Sequence, residues 1–159
     1  MLSKLRQSKK DQGFTIIEVL IVLAIAGLIL LIVFLAVPAL QRNSRNTQRK
    51  DDVSRIGSAV QEYVNNNNGA KPTSTNNAAV QDLLGTLAYY DSTKVTVAGD
   101  ATTTVTNGTT IDTVNIYTGG KCATMTGGMG AVAASSARQV AIVYSTETGG
   151  GTAKLCVDS

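Results

Sequence analysis

The feature that most constrains this 159-residue chain is an apolar run from Phe14 to Leu40, in which Glu18 is the only charged residue. At about 1.5 Å per residue, Val19–Leu40 would form a helix of roughly 33 Å, enough to cross a hydrocarbon core of about 30 Å. A short basic segment, Met1–Gly13, precedes the run. The sequence therefore predicts a membrane-spanning helix with one carboxylate near its start.

Glu18 is the informative residue of this run. A charged side chain deep in a bilayer costs about 2.5–3.5 kcal/mol on insertion scales, and less near the interface. Two interpretations follow from the physics alone. Glu18 either marks the interface and reaches toward lipid headgroups, or it has a role that a plain membrane anchor does not need.

The string Gly-Phe-Thr-Ile-Ile-Glu-Val-Leu, which begins at Gly13, resembles the processing motif of type IV pilins and pseudopilins. The resemblance covers about Lys9–Leu40. It implies that a prepilin peptidase cleaves after Gly13 and that the new terminus, Phe14, becomes N-methylated. It also implies that Glu18 is a residue of filament assembly.

The resemblance extends to the backbone of the helix. Gly27 matches a glycine that helices of this family carry midway, and Pro38 lies a few residues later than the helix-bending proline of the family. Proline removes a backbone donor and clashes with the preceding turn, so we expect any bend at Gly27 or Pro38. Cleavage would create an ammonium on Phe14, which pairs with Glu18 within one subunit or between neighbours; the resemblance favours pairing between subunits.

Charge and residue usage argue against catalysis and metal binding. The formal net charge of +3 equals that of Met1–Gly13, so the remainder is formally neutral and gives weak support for nucleic-acid binding. With no histidine and two cysteines, the chain offers no metal cluster and no nucleophile–base pair, and we expect neither an enzyme nor a cofactor. Cys122 and Cys156 are either a structural disulfide or two free buried thiols. Pilins often close their C-terminal region with a disulfide, which favours the bond.

Beyond the apolar run, the helical pattern continues. One long helix is predicted from Phe14 to about Asn65, with Asn65–Gly69 as its stop. A single apolar face contains Val53, Ile56, Val60, Tyr63 and Val64. The opposite side contains Arg45, Arg49, Asp52, Arg55 and Glu62. We interpret the charged cluster Arg42, Arg45, Arg49, Lys50, Asp51 and Asp52 as a solvated polar face or as a charged contact between stacked subunits, with a DNA contact as a further alternative.

The rest of the chain favours a helix followed by strands. Ala78–Tyr90 suits a short amphipathic helix, interrupted at Gly85, with the two tyrosines packing in a core. Strands are predicted at Lys94–Val97, Thr113–Tyr117, Gln139–Tyr144 and Ala153–Val157, with a hairpin loop at Thr148–Thr152. Gly119–Cys122 and Gly127–Gly130 are interpreted as loops. Asn107–Thr109 matches a glycosylation pattern, but such short patterns recur by chance and we interpret the segment as a turn.

The fold class is therefore predicted as α+β, with a long N-terminal helix packed on a small antiparallel sheet. Four segments are expected: a cleaved leader 1–13, a transmembrane or filament-core helix 14–40, its amphipathic continuation 41–66 and a globular β-rich head 67–159. This organisation is the pilin-like architecture that the resemblance implies.

The function expected from the resemblance is that of a structural subunit of a type IV pilus-like filament. Implied partners are other copies in a helical filament, the prepilin peptidase, an assembly ATPase with its membrane platform, and the membrane itself before assembly. The precursor would be a single-pass membrane protein with a cytoplasmic N-terminus, and the product an extracellular filament whose contacts with a host surface or with DNA stay open. The alternatives are a pseudopilin of a secretion or DNA-uptake system, and an anchored adhesive domain that does not polymerise.

Overall fold

The computed structural model describes residues 13–100, 110–123, 131–134 and 139–159. The chain divides into two compact units, the first ending at Pro38 and the second comprising Ala39–Ser159. The helices are α1 (Ile16–Asn66) and α2 (Asn77–Leu84). The strands are β1 (Val95–Asp100), β2 (Val114–Thr118), β3 (Gly120–Ala123), β4 (Ala131–Ala134), β5 (Val140–Thr148) and β6 (Gly151–Asp158). Short 3-10 turns lie at Ser74–Asn76 and Ser92–Lys94.

Helix α1 is continuous over 51 residues and contains Pro38. In the first unit its side chains are exposed almost without exception. In the second unit the predicted apolar stripe is buried, with Val53, Ile56 and Val60 almost completely inaccessible. One helix therefore presents an unburied apolar surface before Pro38 and an amphipathic surface after it.

The end of α1 is set by its asparagine run. Asn68 adopts a left-handed φ of 54° and Gly69 a φ of 84°. This geometry lets the Gly69 amide donate to the carbonyl of Val64 at 2.8 Å, the bond of a Schellman C-cap. The predicted stop at Asn65–Gly69 is confirmed, because asparagine and glycine tolerate the left-handed conformation that the cap requires.

The strands form a four-stranded sheet in the order β1-β2-β5-β6, together with a separate two-stranded sheet of β3 and β4. The β2–β5 and β5–β6 pairs are antiparallel, and Thr148 pairs with Gly151 across a two-residue turn, as the glycine run predicted. The β1–β2 pair is parallel. The expectation of a wholly antiparallel sheet is corrected on this point, since the chain crosses over between β1 and β2.

The sheet buries side chains on both faces. The face that shares a core with α1 and α2 contributes Val114 and Ile116 from β2 and Val140, Ile142 and Tyr144 from β5. The other face contributes Tyr117, Ala141 and Val143, against which Cys122 and Cys156 pack. This alternation along β2 and β5 is the period-two pattern of a strand whose two faces are both covered.

Helix α2 protects one edge of the sheet. The Gln81 side chain donates to the Val95 carbonyl, and the Asn77 side chain accepts from the Val97 amide, both at 2.8 Å. Backbone groups of β1 that would otherwise be unpaired are therefore satisfied by α2. The predicted helix Ala78–Tyr90 is correct only as far as Leu84, where α2 ends; Gly85 has a φ of 60°, and residues 85–90 are not helical.

Three smaller expectations have different outcomes. The interpretation of Gly119–Cys122 as a loop is wrong, because Gly120–Ala123 forms β3 and pairs with β4. The predicted loop at Gly127–Gly130 and the glycosylation pattern at Asn107–Thr109 lie outside the described residues. The fold class itself is confirmed as α+β, with a long apolar N-terminal helix and a small mixed sheet.

Candidate functional site

The start of α1 is stabilised by Thr15 and Glu18, whose side chains each accept a hydrogen bond from the backbone amide of the other residue. Thr15 precedes the first helical residue, and its amide donates to Oε2 of Glu18 at 2.8 Å. The Glu18 amide donates in return to Oγ1 of Thr15 at 3.4 Å, and that hydroxyl donates to the same Oε2 at 2.7 Å. This arrangement is a capping box, in which residues at the N-cap and third helical positions satisfy amides that a helix start leaves unpaired.

The capping box is a feature that the sequence reasoning missed. Its signal, a threonine followed three residues later by a glutamate ahead of an apolar run, is present at Thr15–Glu18. The charge of Glu18 and the processing motif point to this residue, but neither of them indicates its bond to Thr15. The structure therefore gives Glu18 a local partner within its own chain.

The residues of the predicted cleavage site lie just before this cap. Gly13 and Phe14 are outside the helix, and the Phe14 side chain is 90% exposed. Gly13, Phe14, Thr15 and Glu18 line one open cleft. The bond between Gly13 and Phe14 is thus held out of helical structure, beside the carboxylate that a new amine on Phe14 would need.

No contact within the described part of the chain requires glycine at position 13 or 27. A side chain built at either position would meet no heavy atom within 4 Å, and neither residue has a left-handed φ. Glycine inside a helix costs about 1 kcal/mol relative to alanine, so Gly27 lowers the stability of α1, and no contact among the described residues compensates for this loss. Any requirement for these glycines therefore lies outside the isolated chain.

The apolar surface behind the cap is continuous. Large hydrophobic side chains from Phe14 to Leu40, including Ile16, Leu28 and Phe34, are exposed. By length and composition α1 can cross a membrane, and its most apolar window is wholly unburied. An exposed surface of this extent marks contact with lipid or with other proteins.

Two arginines of the second unit form a partly buried network with Glu147. Arg45 and Arg49, one turn apart on α1, both bind the Glu147 carboxylate, Arg45 through Nε and Nη2 and Arg49 through Nη2 at 2.8 Å. The Asn46 side chain donates to the Glu147 carbonyl at 2.8 Å and accepts from its amide at 2.9 Å. This network, which we call the Glu147 clamp, ties the end of β5 to α1.

The clamp corrects the expectation of a solvated charged face. The Arg49 side chain is fully buried, and its guanidinium carbon lies 4.0 Å from the centre of the Tyr89 ring. Asp52 is 1% exposed and accepts from the backbone amides of Ala88, Tyr89 and Tyr90 at 2.7–3.0 Å. The prediction that these residues lie opposite the apolar face is wrong, because Arg49 and Asp52 lie one turn before Val53 and Ile56 on the buried side of α1. Their hydrogen bonds and ion pairs offset the cost of burying these two charges.

The cysteines are joined. Cys122 on β3 and Cys156 on β6 form a disulfide with Cα atoms 5.7 Å apart. The Asp158 carboxylate lies beside them and accepts from the Cys122 amide at 2.5 Å. Although these three residues converge, both sulfurs are used by the bond, so the group offers no thiolate to a metal ion.

The fold and the N-terminal arrangement together define a class: an α+β protein of pilin-like architecture, with a long apolar helix beginning at a capped carboxylate. Residues 8–34 match the prokaryotic N-terminal methylation motif, the prepilin signature of type IV pilins and pseudopilins. The N-terminal segment of the chain therefore carries the signature that type IV pilins and pseudopilins share. Comparison with curated proteins and with solved structures found no significant match.

Proposed function

We propose that this chain is the structural subunit of a type IV pilus-like filament. The leader 1–13 is removed after Gly13, segment 14–40 holds the precursor in the membrane and then packs in the filament core, and 41–66 continues that helix beneath a head formed by 67–159. Hydrolysis adds water across the Gly13–Phe14 bond, leaving a carboxylate on Gly13 and an amine on Phe14. Methylation replaces one N–H of that amine with N–CH3 from an external methyl donor.

One observation carries this proposal more than any other: a carboxylate held at the start of an unburied apolar helix, beside a non-helical Gly-Phe bond. In lipid or in a dry helix bundle, both Glu18 and the new Phe14 ammonium need a partner. Pairing between neighbouring subunits would neutralise both charges and set the stagger of adjacent helices. A bend at Gly27 or Pro38 would let these helices pack around a common axis.

The implied partners follow from this assembly. They are other copies of the chain, the prepilin peptidase, and an assembly ATPase acting through a membrane platform. Moving the apolar helix from lipid to protein gains little hydrophobic free energy, because acyl chains are as apolar as leucine side chains. Packing, the Glu18 pairing and the motor must therefore supply the driving force for extraction.

The processing and the location are tested by intact mass and N-terminal sequencing of protein sheared from the cell surface. The expected product begins at Phe14, is about 14 Da heavier than the unmodified chain, and lacks two hydrogens at the cysteines. Mature Phe14 found only in the cell envelope would instead support a pseudopilin. An intact Met1 in wild-type membranes would contradict the proposal and would favour the alternative of an anchored adhesive domain that does not polymerise.

The role of Glu18 is tested by Glu18→Ala, with Glu62→Ala, at an exposed position in the continuation 41–66 of the helix, as the matched control. Loss of a charge-assisted hydrogen bond, worth about 1.5–3 kcal/mol, should lower the yield of sheared filaments at least about tenfold. Insertion into the membrane should persist, because removal of a charge favours insertion. Normal filament yield from Glu18→Ala would rule out the pairing.

A further inference from the structure

The geometry assigns to Thr15 the role of a positioning residue for Glu18, before and after processing. This inference rests on the proposed function, since it concerns the carboxylate through which the subunits pair. Its basis is that both donors of Thr15, the amide and the hydroxyl, bind a single oxygen of Glu18, at 2.8 and 2.7 Å. The other oxygen, Oε1, has no hydrogen-bond partner within the described part of the chain.

In the precursor, the capping box of Thr15 and Glu18 explains how the Glu18 carboxylate is tolerated at the membrane without a cation. A carboxylate and the unpaired amides of a helix start are each costly where water is scarce. The capping box gives both groups a hydrogen-bond partner, since the Thr15 amide donates to the Glu18 carboxylate. No cation is present at Phe14 before cleavage, because its nitrogen is then a peptide amide.

Cleavage leaves the capping box intact. Every atom of the box belongs to Thr15 or Glu18, whereas the broken bond joins Gly13 to Phe14. The amine appears on the residue just before the cap, and Phe14 and Glu18 already line the same clefts. Thr15 therefore holds Oε2 in place while Oε1 stays open to an ammonium, and Glu18 enters assembly in a fixed orientation.

The first test is amide exchange in the processed full-length chain in detergent. The Thr15 amide should exchange at least about fivefold faster in Glu18→Ala than in the wild type, because it loses its acceptor. Equal exchange in the two proteins would show that the capping box does not form, and would overturn the role of Thr15 independently of any filament measurement.

The second test compares Thr15→Val, which keeps the shape and loses the hydroxyl, with Thr15→Ser, which keeps the hydroxyl. Both should be cleaved after Gly13. Filament yield should fall about fivefold in Thr15→Val, the factor that a typical N-cap contributes, and stay within about twofold of wild type in Thr15→Ser. The Ser variant separates the hydroxyl from a general structural effect of substitution at this position.

The outcomes distinguish this inference from the proposed function. Wild-type yield in Thr15→Val, together with loss of filaments in Glu18→Ala, would overturn the role of Thr15 and leave the subunit pairing standing. A Ser variant as deficient as the Val variant would also overturn it, because the hydroxyl would then not be the group that matters. Failure of the wild type to be cleaved at Gly13 would overturn the proposed function instead.

Discussion

Arg49 is a charged residue that lies on the buried side of α1. Its side chain is fully buried, yet its guanidinium binds Glu147, Asn46 and the hydroxyl of Tyr89. A buried charge is strongly destabilising when unpaired, so these partners are what allow Arg49 to face the core. Of the three guanidinium nitrogens of Arg49, Nε is buried without a hydrogen-bond partner among the described residues.

The Glu147 clamp predicts a stability that depends on acid pH. Hydrogen bonds from Arg45, and then from Arg49, lower the pKa of Glu147 to about 2, from an ordinary value near 4.5. A carboxyl group whose pKa is lower in the folded state stabilises the fold above its unfolded pKa. That contribution is fully present above about pH 5 and is lost as the pH falls from about 4.5 toward 2.

The measurement is the free energy of unfolding of the full-length chain in detergent, for wild type and Glu147→Gln, between pH 7 and pH 2.5. Glu147→Gln should be less stable at neutral pH, and the difference between the two proteins should narrow below about pH 4.5. Taking the difference removes the contribution of other carboxyl groups, such as Asp91, whose pKa is lowered by hydrogen bonds from Thr93. A difference that stays constant down to pH 2.5 would show that the clamp does not titrate as described.

Tyr89 and Tyr90 provide a matched pair of substitutions at adjacent positions. The Tyr89 hydroxyl accepts from Arg49 and donates to Asp112 at 3.0 Å, whereas the buried Tyr90 hydroxyl has no partner among the described residues. Burial raises the pKa of Tyr90. Tyr89→Phe should therefore lower the free energy of unfolding by about 1 kcal/mol, and Tyr90→Phe should leave it unchanged or raise it. Chemical denaturation followed by near-UV circular dichroism compares the two, and a greater loss in Tyr90→Phe would reveal an unseen partner.

At the scale of elements, Asp52 joins α1 to the segment that links α2 to β1. Its carboxylate accepts three consecutive backbone amides, from Ala88 to Tyr90, and the side chain is buried. Asp52→Ala would leave these amides without acceptors, so we expect a loss of about 3–5 kcal/mol. Asp51→Ala, at the exposed neighbouring position, should change the stability by less than about 0.5 kcal/mol. Equal effects in the two variants, measured by denaturation, would contradict this role of Asp52.

The elements also show which parts of the fold can be predicted from sequence. The predicted helix Phe14–Asn65 differs from α1 by two residues at its start and one at its end, because hydrophobic periodicity and the Asn-Gly stop are local signals. Strands β2, β5 and β6 were also predicted, because the alternation of apolar and polar residues along a strand is a local signal. The parallel pairing of β1 with β2 was missed, since strand pairing depends on a crossover that no local pattern records.

The same limit explains the outcome at the charged residues. Arg49 and Asp52 were assigned to the polar side of α1, but both are buried with the apolar face, and their burial depends on Glu147, Tyr89 and backbone amides distant in sequence. The capping box at Thr15 and Glu18 is different, because its partners are three residues apart and its signal was available in the sequence. It was missed because the interpretation of Glu18 rested on its charge and on the processing motif, and neither of these indicates a bond to Thr15.

At the scale of the whole molecule, the two units are stabilised by different environments. The described residues of the first unit bury almost nothing, so their helix depends on lipid, detergent or neighbouring subunits. The second unit has its own core, the Glu147 clamp and a disulfide. We therefore expect the full-length chain in detergent to lose the structure of the second unit first, while the helix before Pro38 persists.

This difference gives the last prediction, made with the double variant Cys122→Ser/Cys156→Ser. The disulfide links β3 to β6 across a sequence separation of 34, and closing such a loop contributes roughly 3–4 kcal/mol. The near-UV signal, which reports tyrosines of the second unit such as Tyr117 and Tyr144, should therefore disappear at a lower denaturant concentration in the variant. The helical far-UV signal that remains after this transition should have the same amplitude and midpoint in both proteins, because both cysteines lie outside the first unit. A shift of the two signals together would show that the units unfold as one, and that the helix before Pro38 depends on the second unit for its stability.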